Sequence, residues 1–202
     1  MSIYKINNIA VYCGSSAGNL DCYGELAEKC ADALSEKNIT LVYGGGKIGM
    51  MGKIANRMLS NNAKVIGVIP RHLVDVELAH EKLTEIHVVN TMHERKAKMA
   101  ELSDGFIMMP GGSGSLDEFF EVYTLAQLSY HAKPCGILNS TGYYDYLLKF
   151  LDHAVSQGFM KQIYRDMIIL NESPNELINS FENYTAPTTK KWTHESVGAE
   201  KV

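Results

Sequence analysis

Apolar residues fall along this chain in short blocks separated by longer amphipathic stretches. The blocks are Asn8-Ile-Ala-Val-Tyr-Cys13, Thr40-Leu-Val-Tyr43, Lys64-Val-Ile-Gly-Val-Ile69, Glu85-Ile-His-Val-Val89, Gly105-Phe-Ile-Met-Met-Pro110, Pro134-Cys-Gly-Ile-Leu138 and Asp166-Met-Ile-Ile-Leu170. Each is nearly continuous rather than alternating, the pattern of a strand covered on both faces. The stretches between them predict helices over residues 21–37, from the second block's glycine turn to about 62, from 92 to about 100, over 116–130 and over 143–157. Ser173-Pro-Asn-Glu176 reads as a capping box that opens a last helix to about Tyr184, with Ser at N-cap, Pro at N1 and Glu at N3. Strand, small-residue turn and helix recur in that order, which predicts an α/β fold with a parallel sheet and helices on both faces.

Two of the turns are rich in glycine. Gly44-Gly-Gly-Lys-Ile-Gly49 matches the dinucleotide pattern G-x-G-x-x-G between a strand and a helix. The acidic partner that grips a ribose about 20 residues later is missing, because the next strand ends Val68-Ile-Pro-Arg71. The second turn, Pro110-Gly-Gly-Ser-Gly-Ser115, packs three glycines and two hydroxyls at the carboxyl end of a strand, where open α/β sheets place their ligands. Consecutive N–H groups there can converge on an anion at the positive end of a helix. Asp117 and Glu118 are expected in the first turn of the helix that follows, so a phosphate would sit beside a carboxylate. Neither turn has the Gly-Lys-Ser/Thr ending of a P-loop.

Size and charge narrow the picture. At 202 residues the chain is expected to form one domain, over 1–185, with a polar, aperiodic tail over 186–202 that holds the single tryptophan, Trp192, and is expected to be disordered. Hydrophobic residues at 46% are ordinary, and no apolar run approaches the ~20 residues of a membrane span. No leader-like segment is evident at the N-terminus, so a cytoplasmic location is expected. The net charge of −4 argues against nucleic acid and anionic membranes as partners. Cys13, Cys22, Cys30 and Cys135 lack metal or disulfide spacing and are expected to be reduced thiols, with Cys13 at a strand end the one that could act as a nucleophile. His93 and His131 have no metal spacing, and no metal ligand is expected. The 116–130 helix is apolar on more than one side, which predicts a core position or a dimer contact.

Three motifs in order, Tyr43-Gly-Gly-Gly-Lys-Ile-Gly-Met-Met-Gly52, Met92-His-Glu-Arg-Lys-Ala97 and Pro110-Gly-Gly-Ser-Gly-Ser-Leu-Asp-Glu118, resemble the Lonely Guy (LOG) family. The resemblance runs from about Ile9 to Phe181. It implies a Rossmann-like, doubly wound fold, a homodimer, no cofactor, and cleavage of the N-glycosidic bond of a purine nucleoside 5′-monophosphate, AMP or an N6-modified AMP. By the same resemblance Arg95 and Glu118 are the catalytic residues. Substrate contacts would come from Glu77, Arg95, Lys96, Gly112, Ser113, Gly114, Ser115, Leu116, Asp117, Glu118 and Thr124. The family pattern has Thr where this chain has Ser115, which keeps the hydroxyl and loses a methyl that restricts it. Two other readings attach to proteins of this kind: a non-catalytic nucleotide- or molybdenum-cofactor-binding module, and a pyridoxal-phosphate lysine decarboxylase. The last needs a Schiff-base lysine, and no lysine stands out for it.

Overall fold

The computed structural model describes residues 5–74 and 79–187 of the chain. Seven strands form one parallel sheet in the order β4-β3-β2-β1-β5-β6-β7. They are β1 (Asn8–Tyr12), β2 (Thr40–Tyr43), β3 (Val65–Pro70), β4 (Glu85–Val89), β5 (Gly105–Met108), β6 (Cys135–Leu138) and β7 (Ile168–Asn171). The helices are α1 (Asp21–Glu36), α2 (Gly49–Ser60), α3 (Met92–Leu102), α4 (Ser113–Gln127), α5 (Asp145–Ser156), the short α6 (Gln162–Arg165) and α7 (Pro174–Glu182). Every expected strand is present, and α7 starts as the capping box predicts, with Ser173 Oγ accepting from the Glu176 N–H. The sequence reading did not anticipate α6.

Alternate residues of the central strands feed two cores. Ile9, Val11, Leu41, Tyr43 and Ile107 pack with α1, α2 and α7 through residues such as Leu34, Ile54, Met58 and Phe181. Ala10, Tyr12, Val42, Phe106 and Met108 pack on the other side with Met99, Phe119, Tyr123, Leu148 and Tyr164 of α3 to α6. Both faces of β1, β2 and β5 are therefore dry, which is why these strands carry no polar alternation. The apolar surround of α4 has the same origin. Phe119, Val122, Tyr123 and Ala126 are buried in this second core, while Leu128 beyond its end is exposed.

The order of strands places the site. From β1 the chain builds outward through β2, β3 and β4, then returns to pair β5 with the free side of β1. The loops leaving β1 and β5 therefore run to opposite sides and open a crevice between them, the position at which doubly wound sheets bind ligands. Among the described residues, no helix is long and apolar enough to cross a membrane. The expected tail lies mostly outside the described residues, which end at Pro187.

Candidate active site

A cleft of about 220 Å³ opens at this crevice. Its walls are Cys13, Gly14 and Ser15 after β1, Met51 of α2, Arg95 of α3, and Gly112, Ser113, Gly114, Ser115 and Glu118 at the start of α4. Three successive carbonyls hold the 110–115 loop from behind. Tyr144 Oη donates to Met109 O at 2.8 Å, the Gly14 N–H to Pro110 O at 3.0 Å, and Tyr143 Oη to Gly111 O at 2.8 Å. These bonds tie the loop to β1 and to the residues just before α5.

Helix α4 begins at Ser113, three residues earlier than the sequence predicts, with Gly112 as its N-cap and no side chain capping it. Glycine and serine are poor helix formers, so their pattern reads as a loop when tertiary packing has made it the first turn. Asp117 and Glu118 consequently lie in the second turn, not the first. The first turn offers backbone N–H groups, of Ser113, Gly114 and Ser115, that have no partner within the helix. A β-carbon built at Gly112 or Gly114 would meet nothing within 4 Å. The protein leaves open the space directly in front of the helix's positive end, a place where an anion is favoured.

Arg95 reaches the cleft from α3, whose start is fixed by Thr91 Oγ1 accepting from the Glu94 N–H and Glu94 Oε2 accepting from the Asn90 N–H. The side chain is buried, with 5% of the residue exposed. Its Nε donates to Val68 O at 3.1 Å and its Nη2 to Gly44 O at 3.0 Å. Arg95 and Met99 are the only buried residues of α3, so an arginine stands where an amphipathic helix would carry an apolar side chain. A buried charge survives only with such partners.

The 44–49 loop, the one that matches a dinucleotide pattern, is already full. A β-carbon at Gly44 would lie 1.9 Å from Arg95 Nη2, and one at Gly49, which has φ +63°, would lie 2.0 Å from Ser15 O. Gly44, Gly45 and Gly49 serve packing within the protein.

Of the residues expected at the site, Arg95, Gly112, Ser113, Gly114, Ser115 and Glu118 come together in the cleft. Lys96, the next residue of α3, instead holds α4: its ammonium pairs with Asp117 at 3.0 Å and also with Glu121. The Glu121 carboxylate, with Asp117 adding to it, raises the Lys96 pKa above the ordinary value, against a smaller opposing effect of burial. Leu116 packs against the core beneath α4. Thr124 is exposed on α4, and six residues beyond Glu118 it is turned ~120° away around the helix. Glu77 lies outside the described residues. His93 is exposed, and His131 Nε2 bonds to Val122 O at 2.9 Å, away from the cleft walls.

Cys13 does line the cleft, but burial, with Glu118 nearby, pushes its thiol pKa far up, so it stays protonated and is a poor nucleophile. Cys13, Cys22, Cys30 and Cys135 are all free. Sequence reading did not find Gly14, Ser15 and Met51 as walls, nor Gly44 and Val68 as partners of Arg95. Only the glycine turns and the small residues after β1 hinted at them. Among the described residues, none of the cleft walls is a lysine, so they offer no Schiff-base partner for pyridoxal phosphate. Among the described residues, no group of three or more His, Cys, Asp and Glu side chains is arranged to hold a metal.

Comparison with known proteins places the chain in a family. Residues 51–181 match a family model described as "Possible lysine decarboxylase". The chain is 44% identical over 199 residues to cytokinin riboside 5′-monophosphate phosphoribohydrolase LOG1 of Arabidopsis thaliana, covering 96% of this chain and 93% of the relative. It is also 44% identical over 180 residues to the LOG enzyme of Oryza sativa subsp. japonica, covering 89% of this chain and 74% of the relative. Among solved structures, the molybdenum cofactor binding protein of Rippkaea orientalis superposes with a TM-score of 0.66 at 19% identity, covering 87% of this chain and 97% of that one. The molybdenum cofactor carrier protein of Chlamydomonas reinhardtii gives 0.66 at 15%, covering 87% and 96%. At those identities the likeness concerns the fold, whereas the sequence relatives span nearly the whole chain, and this chain belongs to the LOG family of cytokinin riboside 5′-monophosphate phosphoribohydrolases.

Proposed function

We propose that the protein hydrolyses the N-glycosidic bond of a purine nucleoside 5′-monophosphate, AMP or an N6-modified AMP, releasing free base and ribose 5-phosphate. The observation that carries this reading is the open space at Gly112 and Gly114, before the uncapped N-terminus of α4, in the same cleft as Glu118 and Arg95. The relatives' names point the same way. The 5′-phosphate accepts hydrogen bonds from the N–H groups of Ser113, Gly114 and Ser115, and from the Ser115 hydroxyl. That grip fixes the ribose so that water meets C1′ from one side.

As the C1′–N bond breaks, positive charge builds on the ribose, as in other glycosyl transfers. The Glu118 carboxylate stabilises this charge and takes a proton from the attacking water, while the purine nitrogen takes a proton from solvent as it leaves and Glu118 returns its own to solvent afterwards. Arg95, held by two main-chain carbonyls, presents its cation to the substrate beside Glu118. Lys96 adds positive charge to the same end of α4 while tethering Asp117 and Glu121. Glu77 adds a contact by family resemblance, while Leu116 packs the helix that carries Glu118 against the core and Asp117 ties it to Lys96. The protein acts in the cytoplasm as a homodimer, in which the exposed Leu128 and Tyr130 after α4 suit a subunit contact, and light scattering would measure its mass.

The direct test is to incubate the protein with AMP, isopentenyl-AMP and the matching nucleosides and to separate the products. Base released from the monophosphates alone supports the reading. Equal release from the nucleosides removes the phosphate seat, and no release from any substrate favours a binding module. Glu118→Gln should keep nucleotide binding and lower kcat by about three orders of magnitude; near-normal turnover would take Glu118 out of the chemistry.

A further inference from the structure

The 44–49 loop has no part in the phosphate seat, yet it touches the cleft at one point, the guanidinium of Arg95. We propose that this loop, together with the end of β3, forms a socket for a guanidinium cation, and that Gly44 is a positioning residue that acts through Arg95. The carbonyls of Gly44, just after β2, and of Val68, in the adjacent parallel strand β3, accept from two different nitrogens of one planar group, Nη2 at 3.0 Å and Nε at 3.1 Å. Met92 Sδ lies 3.7 Å from the third nitrogen, Nη1. A fork of donors in one plane matches this arrangement, and an ammonium, a single compact point of charge, does not.

The missing side chain at position 44 is what leaves room for the cation. Gly44 does not have positive φ, so alanine would suit its backbone. A β-carbon there would nevertheless stand 1.9 Å from Nη2 and 3.1 Å from Cζ of Arg95. Met51 Sδ, at 3.0 Å, is the flexible tip of a side chain and can move aside. Gly44→Ala therefore conflicts chiefly with the seated guanidinium. This sets Gly44 apart from Gly49, where the conflict is with backbone.

The role of Arg95 in turnover rests on the function proposed above; the socket does not, and its test begins without substrate. The full-length Arg95→Ala variant should bind one equivalent of labelled guanidinium in equilibrium dialysis, in the millimolar range that so small a ligand allows. The wild type, with the socket filled by its own arginine, should bind none there. Adding Gly44→Ala to Arg95→Ala should weaken that binding at least tenfold. Equal binding by all three proteins, or binding untouched by Gly44→Ala, overturns the socket.

A second measurement keeps Arg95 in place, in case Arg95→Ala does not fold. In 15N-arginine-labelled wild type the Arg95 Nε–H should resist solvent exchange, and in Gly44→Ala that protection should drop at least tenfold; unchanged protection overturns the proposal. Turnover is the last arm. Guanidinium at ~20 mM, far below the molar range in which it denatures proteins, should raise kcat of Arg95→Ala with AMP at least tenfold, and neutral urea of the same shape should not. Guanidinium that binds without restoring turnover leaves the socket standing and removes Arg95 from the proposed chemistry.

Discussion

The two glycine-rich loops, at 44–49 and 110–115, look alike in composition and are opposite in use. In the first, the missing side chains are replaced by other parts of the protein: the Arg95 guanidinium at Gly44 and the Ser15 carbonyl at Gly49. In the second, Gly111 is packed against Ser115 and Gly14 in the same way, but the space at Gly112 and Gly114 is left open at the mouth of the cleft. A glycine therefore marks a close approach, but whether it is an approach by protein or by ligand depends on what stands opposite. The filled loop is the one that carries the familiar dinucleotide pattern.

Changes at the two loops should separate these uses. The largest effect is expected from Gly114→Asp, which puts a carboxylate where the phosphate is proposed to sit. Its KM for AMP should rise at least a hundredfold, while thermal stability changes little because the side chain points into open space. A parallel fall in stability would mean that this loop, too, is merely packed. Gly49→Ala should do the reverse. Its β-carbon meets the Ser15 carbonyl and its φ is +63°, so urea unfolding should show a loss of roughly 2–4 kcal/mol.

Two histidines offer a subtler comparison, His80 beside the 44–49 loop and His131 against α4, the helix that follows the second loop. The Lys82 N–H donates to His80 Nδ1 at 3.2 Å, so the proton is on Nε2 and faces Asn56 Oδ1 at 3.0 Å; the His80 N–H also donates to Gly45 O. His131 is built alike, with the Lys133 N–H on Nδ1 and Nε2 donating to Val122 O of α4. In both, desolvation leads in lowering the pKa, helped by Lys47 and Lys82 at His80 and by Lys133 at His131, against opposing effects of Glu81 and of the Val122 bond. A histidine pKa lowered by folding stabilises fully above its unfolded value, about 6.5, and loses that contribution as pH falls through 6.5 toward the folded value. Unfolding at pH 7.5 and 5.5 should show acid destabilisation, reduced in His80→Gln and in His131→Gln; an unchanged difference between the two pH values would refute it.

The smallest effect concerns the tie between the helices the loops support. A double-mutant cycle on Lys96→Met and Glu121→Gln should give a stability coupling of about 0.5–1 kcal/mol, as expected for a partly exposed pair. A coupling of zero would mean that the pair does not hold α3 to α4.

Much of this was legible in the sequence. Strands such as Gly105–Met108 are buried on both faces, so they stand out as unbroken apolar blocks, and α7 announces itself through its cap. The start of α4 was misplaced because Ser113, Gly114 and Ser115 carry no helical preference of their own. The seat of Arg95 was hidden for a different reason. It is made of carbonyls from Gly44 and Val68, and every residue has a carbonyl, so no side-chain pattern can reveal it. The pairing of Lys96 with Asp117 and Glu121 was hidden as well, because it depends on how α3 and α4 come to lie together.

The bonds behind the 110–115 loop have a thermodynamic consequence. With Met109, Pro110 and Gly111 each fixed by a donor from Gly14 after β1 or from the tyrosines ahead of α5, the loop loses its conformational freedom when the chain folds rather than when a ligand arrives. A calorimeter should then record only a small entropy loss from protein ordering on monophosphate binding. Association should run in a single kinetic phase, with its rate set by diffusion and charge instead of by rearrangement of the site.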